Sequence, residues 1–210
     1  MMRVFIADDH AVVRRGVRQI LEEAADMVVV GEAAAGRETL RAVSEITCDV
    51  LLLDIALPDI NGLEVLAQLR AVKPEVQVLI LSVYPEKQYA LRALKAGAAG
   101  YLTKDSLPEE LLTAVRQAAS GGKYITQSLS EKLAGELQAG AAKEPHELLS
   151  NREYQIVCRL AAGKTVSDIA AELSLSVKTV STYRARILEK LGLQNTAEII
   201  HYALSRGLVE

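Results

Sequence analysis

The 210-residue chain has no tryptophan, one phenylalanine and seven tyrosines. Aromatic side chains therefore cannot dominate its core, and packing must rest on Leu, Val, Ile and Ala. Cysteine occurs twice, as Cys48 and Cys158, far apart in sequence, which argues against a disulfide framework or a cysteine-held metal. No apolar run approaches the roughly 20 residues that a membrane-spanning helix requires, so no membrane partner is expected. The first residues lead into a strand-like run ending on Asp8 and Asp9, unlike a secretory signal. A cytoplasmic location is the expectation. Net charge is only −3, too small to name a partner.

Half of the residues are hydrophobic and 24% are charged, as in globular proteins. The length suits one large domain or two small ones. Charge is unevenly spread. Residues 1–120 hold 13 Lys+Arg against 17 Asp+Glu, whereas residues 150–210 hold 8 against 6. An acidic front and a mildly basic back suggest two modules with different partners.

Five apolar runs, Val4–Ala7, Val28–Gly31, Val50–Leu53, Val76–Leu81 and Ala99–Leu102, alternate with five helical patterns. These are Val12–Ala24, Arg37–Ser44, Leu63–Val72, Glu86–Ala96 and Leu107–Ser120. Strict alternation predicts an α/β doubly wound sheet of five parallel strands covered on both faces. Asn61 and Glu64 have capping-box spacing, Pro85 opens a helix and Gly97 stops it. This region, residues 1–120, is the first domain. Residues 121–147 read as a linker, carrying Gly121, Gly122, Gly135, Gly140 and Pro145, the small residues Ala139–Ala142, and room for a helix at Ser130–Leu137. Residues 148–210 are purely helical in pattern. Ser150 with Glu153, Thr165 with Asp168, and Ser176 mark helix starts, and Gly163, Gly192 and Gly207 mark stops. Four short helices in a compact all-α unit follow.

The stretch "VLLLDIALPDINGLEVL" runs four aliphatic residues into the carboxylate of Asp54. In a doubly wound sheet of order 2-1-3-4-5, ligands bind at the carboxyl ends of the strands where the order reverses, between strands one and three. Asp8 and Asp9 end strand one and Asp54 ends strand three, so the three acids should converge. Clustered carboxylates repel unless a cation or a proton separates them. An open, oxygen-only site suits Mg²⁺, and a carboxylate beside it can act as a nucleophile that forms an aspartyl phosphate. Ser82, ending strand four, and Lys104, beyond strand five, are placed to meet phosphoryl oxygens at the same rim.

The segments "FIADDH", "LLLDIALPDINGLEVL", "LILSVY" and "AGAAGYLTKD" resemble the receiver domain of two-component response regulators, across residues 3–120. The resemblance implies that Asp54 accepts a phosphoryl group from a histidine kinase. It implies Asp9 as a direct Mg²⁺ ligand, Asp8 as a direct or water-mediated one, and a contribution from the Ala56 carbonyl. It implies Ser82 and Tyr101 as a switch pair whose hydroxyl moves toward the phosphoryl group while the ring turns inward. One departure is that Asp105, rather than proline, follows Lys104.

In the tail, Val166–Leu173 and Val177–Lys190 read as a helix-turn-helix. Lys178, Ser181, Thr182, Ala185 and Arg186 share the polar face of the second helix; Val177, Val180, Ile187, Leu188 and Leu191 share the other. Lys178 and Arg186 suit phosphates, and Ser181 and Thr182 base edges. Thr179 belongs to the same candidate surface. Arg184 lies near the apolar side, where it reaches phosphate or pairs internally. The string from Leu148 to Leu193 closely resembles the LuxR-type DNA-binding domain, and "AEIIHYALSRGLV" extends the match. The resemblance implies that the third helix reads double-stranded DNA and that Thr196, Ile199, Ile200 and Ala203 on the fourth line a dimer contact. Together the two halves resemble a NarL/FixJ-type response regulator, homodimeric when phosphorylated; "SVKTVSTYR" is similar to regulators of the GacA/UvrY type. An aspartate-nucleophile phosphatase is the rival enzyme, but its second acid would stand at Ala56, which argues against turnover. A regulator that binds DNA without phosphorylation is the other rival.

Overall fold

The computed structural model describes residues 1–138 and 144–209. The expected Ala139–Ala142 and Gly140 features of the linker lie outside the described residues. The chain divides into two compact units, Met1–Ala134 and Gly135–Glu210.

The first unit is a five-stranded parallel sheet of strands β1 (Met2–Ala7), β2 (Met27–Ala33), β3 (Val50–Leu53), β4 (Gln77–Ser82) and β5 (Gly100–Thr103). Their order is β2-β1-β3-β4-β5, as expected. Helices α1 (Ala11–Glu22), α2 (Gly36–Glu45), α3 (Gly62–Val72), α4 (Glu86–Lys95) and α5 (Pro108–Ala119) fill the crossovers. All four residues of β3 are fully buried, because a central strand in such a sheet faces helices on both sides. On one face Val4, Ile6, Val50, Leu52, Leu79 and Leu81 pack with Val17 and Leu21 of α1 and with Leu111, Ala114, Val115 and Ala118 of α5. Phe5, Leu51, Leu53, Val78 and Ile80 alternate with that set along the strands, and they too are buried.

Two ends differ from expectation. Asn61 caps α3 by accepting from the Leu63 N–H at 2.8 Å, but its partner is N2 of the helix, and α3 shows no capping box with Glu64 among the described residues. Pro85 occupies the N-cap of α4 instead of its first turn.

The early part of the stretch read as linker belongs to the sheet edge. The Tyr124 N–H donates to the Ala99 carbonyl at 2.8 Å, and Gly100 pairs with Tyr124 in a parallel bridge. Thr126 donates to the Glu86 carboxylate at 2.7 Å, and Leu129 is fully buried. Helix α6 (Gln127–Gln138) begins there, three residues earlier than the pattern suggests.

The second unit holds a short 3₁₀ helix at Pro145–Leu148, then α7 (Asn151–Ala161), α8 (Val166–Glu172), α9 (Val177–Leu191) and α10 (Thr196–Ser205). Ser150–Glu153 and Thr165–Asp168 form the two expected capping boxes, and Ser176 accepts from the Thr179 N–H. Gly192 closes α9 in the left-handed region at φ 67°, a conformation that costs a side chain little only when there is none. Ser174, at φ 52°, makes the tight turn between α8 and α9. Ile156, Val157, Ile169, Val180, Ile187, Ile199 and Ala203 form the core.

Candidate functional site

The topology brings the carboxyl ends of β1 and β3 side by side, since Ala7 pairs with Leu53. The next residues out are Asp8 and Asp54, and both are nearly sealed from solvent, at 2% and 1% exposure. The Asp54 N–H donates to the Ala7 carbonyl at 2.8 Å, which extends the ladder one residue past the strands and fixes the acid's Cα. Asp54 Oδ1 accepts from the Ala56 N–H at 3.1 Å. Its Oδ2 accepts from Lys104 Nζ at 2.7 Å.

Lys104 bridges two acids. Its ammonium also lies 2.7 Å from Asp8 Oδ2, but off the direction of a hydrogen bond, so that buried oxygen has no hydrogen-bond partner among the described residues. Asp8 Oδ1 accepts from the His10 N–H at 2.8 Å. Asp9 points outward and pairs through Oδ1 with His10 Nδ1 at 2.6 Å. Ligand atoms of Asp8, Asp9, His10 and Asp54 all fall within 4.8 Å of one another. The cluster could hold a divalent cation, since the donors are chiefly hard carboxylate oxygens.

Two buried carboxylates, Asp8 and Asp54, share one lysine here, and the titration directions follow from that. Burial raises the Asp54 pKa; the charge and hydrogen bond of Lys104 oppose the rise, and the like charge of Asp8 adds to it. The Lys104 pKa is also raised: burial alone would lower it, but Asp54 and Asp8 together outweigh that. The two directions agree physically, because the single cation has two acids while each acid has at most one cation.

Ser82, at the end of β4, is fully buried, and its Oγ accepts from the Tyr84 N–H at 3.3 Å. Tyr101, on β5 beside Ile80, is 1% exposed and donates to the Tyr84 carbonyl at 2.8 Å. Burial raises its pKa, opposed by a hydrogen bond with Ser82. The ring thus already lies inside, linked to both Ser82 and the loop after β4.

Sequence reasoning missed three residues around the pocket. A Cβ at Gly62 would overlap the Asp54 carbonyl oxygen, so only glycine lets α3 begin this close to the acid; its place after the helix-capping Asn61 was the available signal. Asp59 accepts from the Gly36 and Arg37 N–H groups at 2.7 and 2.9 Å, capping α2 from another loop. Arg14 donates to the Asp8 backbone carbonyl at 2.6 Å. The Asp59 contacts join segments more than twenty residues apart and the Arg14 contact spans six, and periodicity reveals neither.

On α9, Lys178, Thr182, Ala185 and Arg186 are exposed, whereas Thr179, Ser181 and Arg184 are half-buried. Thr179 Oγ1 lies 2.8 Å from the capping Ser176 Oγ, and Thr182 donates to the Lys178 carbonyl. Arg184 pairs internally, donating to Thr196 Oγ1 at 3.3 Å. Val177, assigned to the apolar side, is 51% exposed because it occupies the first turn, beyond the core. Of the four residues expected on a dimer contact, Ile199 and Ala203 are fully buried in their own unit. Their side chains offer no accessible surface, so that expectation is corrected for these two. Thr196 and Ile200 are half-buried, and Ala197, His201, Leu204 and Ser205 are the exposed residues of α10.

Among the described residues no helix is long and apolar enough to cross a membrane. Residues 4–116 match the response regulator receiver domain family, and residues 147–203 match the bacterial regulatory proteins of the luxR family. The chain is 35% identical to response regulator UvrY of Escherichia coli, over 99% of this chain and 96% of that one. It is 37% identical to response regulator GacA of Pseudomonas aeruginosa, over 100% of this chain and 99% of that one. A solved structure of RcsB from Salmonella enterica serovar Typhimurium, bound to a promoter in the presence of phosphomimetic BeF3−, is 27% identical and has a TM-score of 0.63. The likeness covers 97% of this chain and 98% of RcsB.

Proposed function

The chain belongs to the NarL/FixJ-type response regulators, which join a receiver domain to a LuxR-type DNA-binding domain, and from that premise we propose that Asp54 is its phosphoryl acceptor. In this reading residues 1–120 are the receiver, 121–147 a linker whose first residues, Tyr124 to Leu129, pack on the receiver's sheet edge, and 148–210 the DNA-binding domain. The observation that carries it is the buried Asp54 carboxylate held 2.7 Å from Lys104, with Asp8 and Asp9 gathered at the same rim.

Asp54 attacks the phosphorus of a kinase phosphohistidine in line. The new O–P bond forms as the P–N bond breaks, and the imidazole leaves with the bonding pair and takes up a proton. The chain contributes positioning and charge. Lys104, already between two acids, turns its ammonium to the incoming phosphoryl oxygens. Asp8, Asp9, Asp54 and the Ala56 carbonyl would hold Mg²⁺, which supplies charge neutralisation for the phosphoryl oxygens. The buried Asp8 Oδ2, which has the charge of Lys104 beside it but no hydrogen bond of its own, fits that role. Ser82 then donates to the phosphoryl group and Tyr101 keeps its inward place, so that phosphorylation favours one of two pre-existing arrangements. A phosphorylated homodimer presents two α9 helices to DNA half-sites, with Lys178, Thr179, Ser181, Thr182, Arg184, Ala185 and Arg186 as the contact set. Thr196 and Ile200, with the exposed face of α10 beside them, form the dimer contact. The protein acts in the cytoplasm as a transcription regulator and not as a turnover enzyme.

The test is incubation with a small phosphodonor and Mg²⁺, followed by intact-mass analysis and by binding to DNA fragments selected with the phosphorylated protein. One phosphoryl group should be gained by the parent chain and none by Asp54→Asn, and DNA affinity should rise only for the chain that gains it. Equal DNA affinity for Asp54→Asn and the phosphorylated chain would favour regulation without phosphorylation. Steady hydrolysis of a generic phosphate ester would favour the phosphatase.

A further inference from the structure

The arm that carries Asp8 and Asp9 is held from outside the pocket. Arg14, in the first turn of α1, donates through Nη1 to the Asp8 backbone carbonyl at 2.6 Å and through Nε to Glu32 of β2 at 3.1 Å. The other Glu32 oxygen accepts from Arg18 Nε at 2.6 Å. Burial alone would raise the Glu32 pKa, but the bonds from Arg18 and Arg14 outweigh it and hold the carboxyl below its usual range. Glu32 is therefore charged at neutral pH and anchors both guanidinium groups. The Asp8 carbonyl belongs to the same peptide plane as the Asp9 N–H and Cα, so a bond to it holds the Asp9 Cα in place and restrains where its side chain starts.

We infer that Arg14 is a positioning residue for the Asp8–Asp9 arm of the cation site, with Glu32 as its anchor. This rests on the reading of the acidic pocket as a Mg²⁺ site. Two physical roles for Arg14 predict opposite signs. As a charge alone, a cation near a divalent cation repels it, and removing Arg14 tightens Mg²⁺ binding. As the clamp on the Asp8 peptide, removing it lets Asp9 wander and weakens Mg²⁺ binding, by the tenfold or so that outer contacts of a metal site typically contribute.

The experiment is calorimetric titration of the full chain with Mg²⁺, with circular dichroism and melting curves to confirm folding. Arg14→Gln should bind Mg²⁺ about tenfold more weakly. Arg14→Lys keeps the charge but loses the fork that spans two acceptors, and it should also bind more weakly. Arg18→Gln removes a charge that touches Glu32 but not the Asp8 carbonyl, and it should bind as the parent does or slightly tighter. Should Arg14→Gln fail to fold, Arg14→Lys decides. Parent-like or tighter Mg²⁺ binding by folded Arg14→Gln and Arg14→Lys overturns the inference. If the parent chain takes up no Mg²⁺, or Asp9→Asn binds it equally well, the cation site itself falls and the role of Arg14 falls with it.

Discussion

At Asp54 two demands conflict. Esterification needs an ionised carboxylate, yet burial beside Asp8 disfavours that charge and raises the pKa. A group whose folded pKa exceeds its unfolded value contributes stability below the unfolded pKa, and that contribution is lost as pH rises through the folded one. At neutral pH and without a divalent cation, ionised Asp54 is therefore a burden on the fold. Asp54→Asn keeps the shape and the acceptor for the Ala56 N–H while removing the charge, and Lys104 keeps Asp8 as a partner. Its melting temperature at pH 7 in chelator should exceed that of the parent, and the gap should shrink as pH falls into the carboxylate range. A lower melting temperature for the variant at pH 7 would mean that the Lys104 pair outweighs burial. At this scale the sequence was readable where a residue sits at a strand end: Asp8, Asp54 and Ser82 all lie where the apolar runs stop. Gly62 left one signal, its place after the capping Asn61, while Arg14 left none, because its guanidinium works against the Asp8 backbone carbonyl and no pattern of residue types marks such a contact.

Among the elements, the strands were legible because each central one is a short, nearly unbroken aliphatic run bounded by turn residues, as a strand buried on both faces requires. The helix caps in the tail were legible because a capping box is local. Two things were not. Pro145 reads as a linker residue, yet its fixed φ also suits the first turn of the 3₁₀ helix that it opens. The N-terminus of α2 has no side-chain cap of its own, and Asp59, from the loop before α3, supplies the acceptor. Burial would raise the Asp59 pKa, but its bonds to the Arg37, Gly36 and Ile60 N–H groups lower it. For a depressed pKa the stability is present above the unfolded value and is lost as pH falls through the folded one. Asp59→Ala should cost about 1 kcal/mol at pH 7, the usual worth of a helix cap, and the difference from the parent should vanish in acid below the carboxylate range. Urea denaturation of both chains across pH measures this. A loss that persists unchanged in acid would assign the cost to loop packing.

For the whole molecule, the uneven charge of the sequence acquires a structural address. The unit with the phosphoryl pocket is acidic, and the exposed face of α9 carries Lys178 and Arg186. Basic side chains that neutralise DNA phosphates release counterions, so log affinity falls with log salt by about 0.9 per contact. That relation also counts copies. A homodimer presents each substitution twice, because a two-fold interface repeats every residue. Lys178→Ala or Arg186→Ala should therefore flatten the salt dependence by about 1.8 in the phosphorylated chain if two copies bind, against about 0.9 for one. Arg184→Ala should flatten it less, because its guanidinium is engaged with Thr196 at 3.3 Å. Anisotropy titrations on one selected fragment across a salt series give all three slopes. Phosphate contacts act on any sequence, so Lys178→Ala should weaken a scrambled fragment by the same factor as the selected one. A loss confined to the selected fragment would move Lys178 from the phosphate backbone to a base edge.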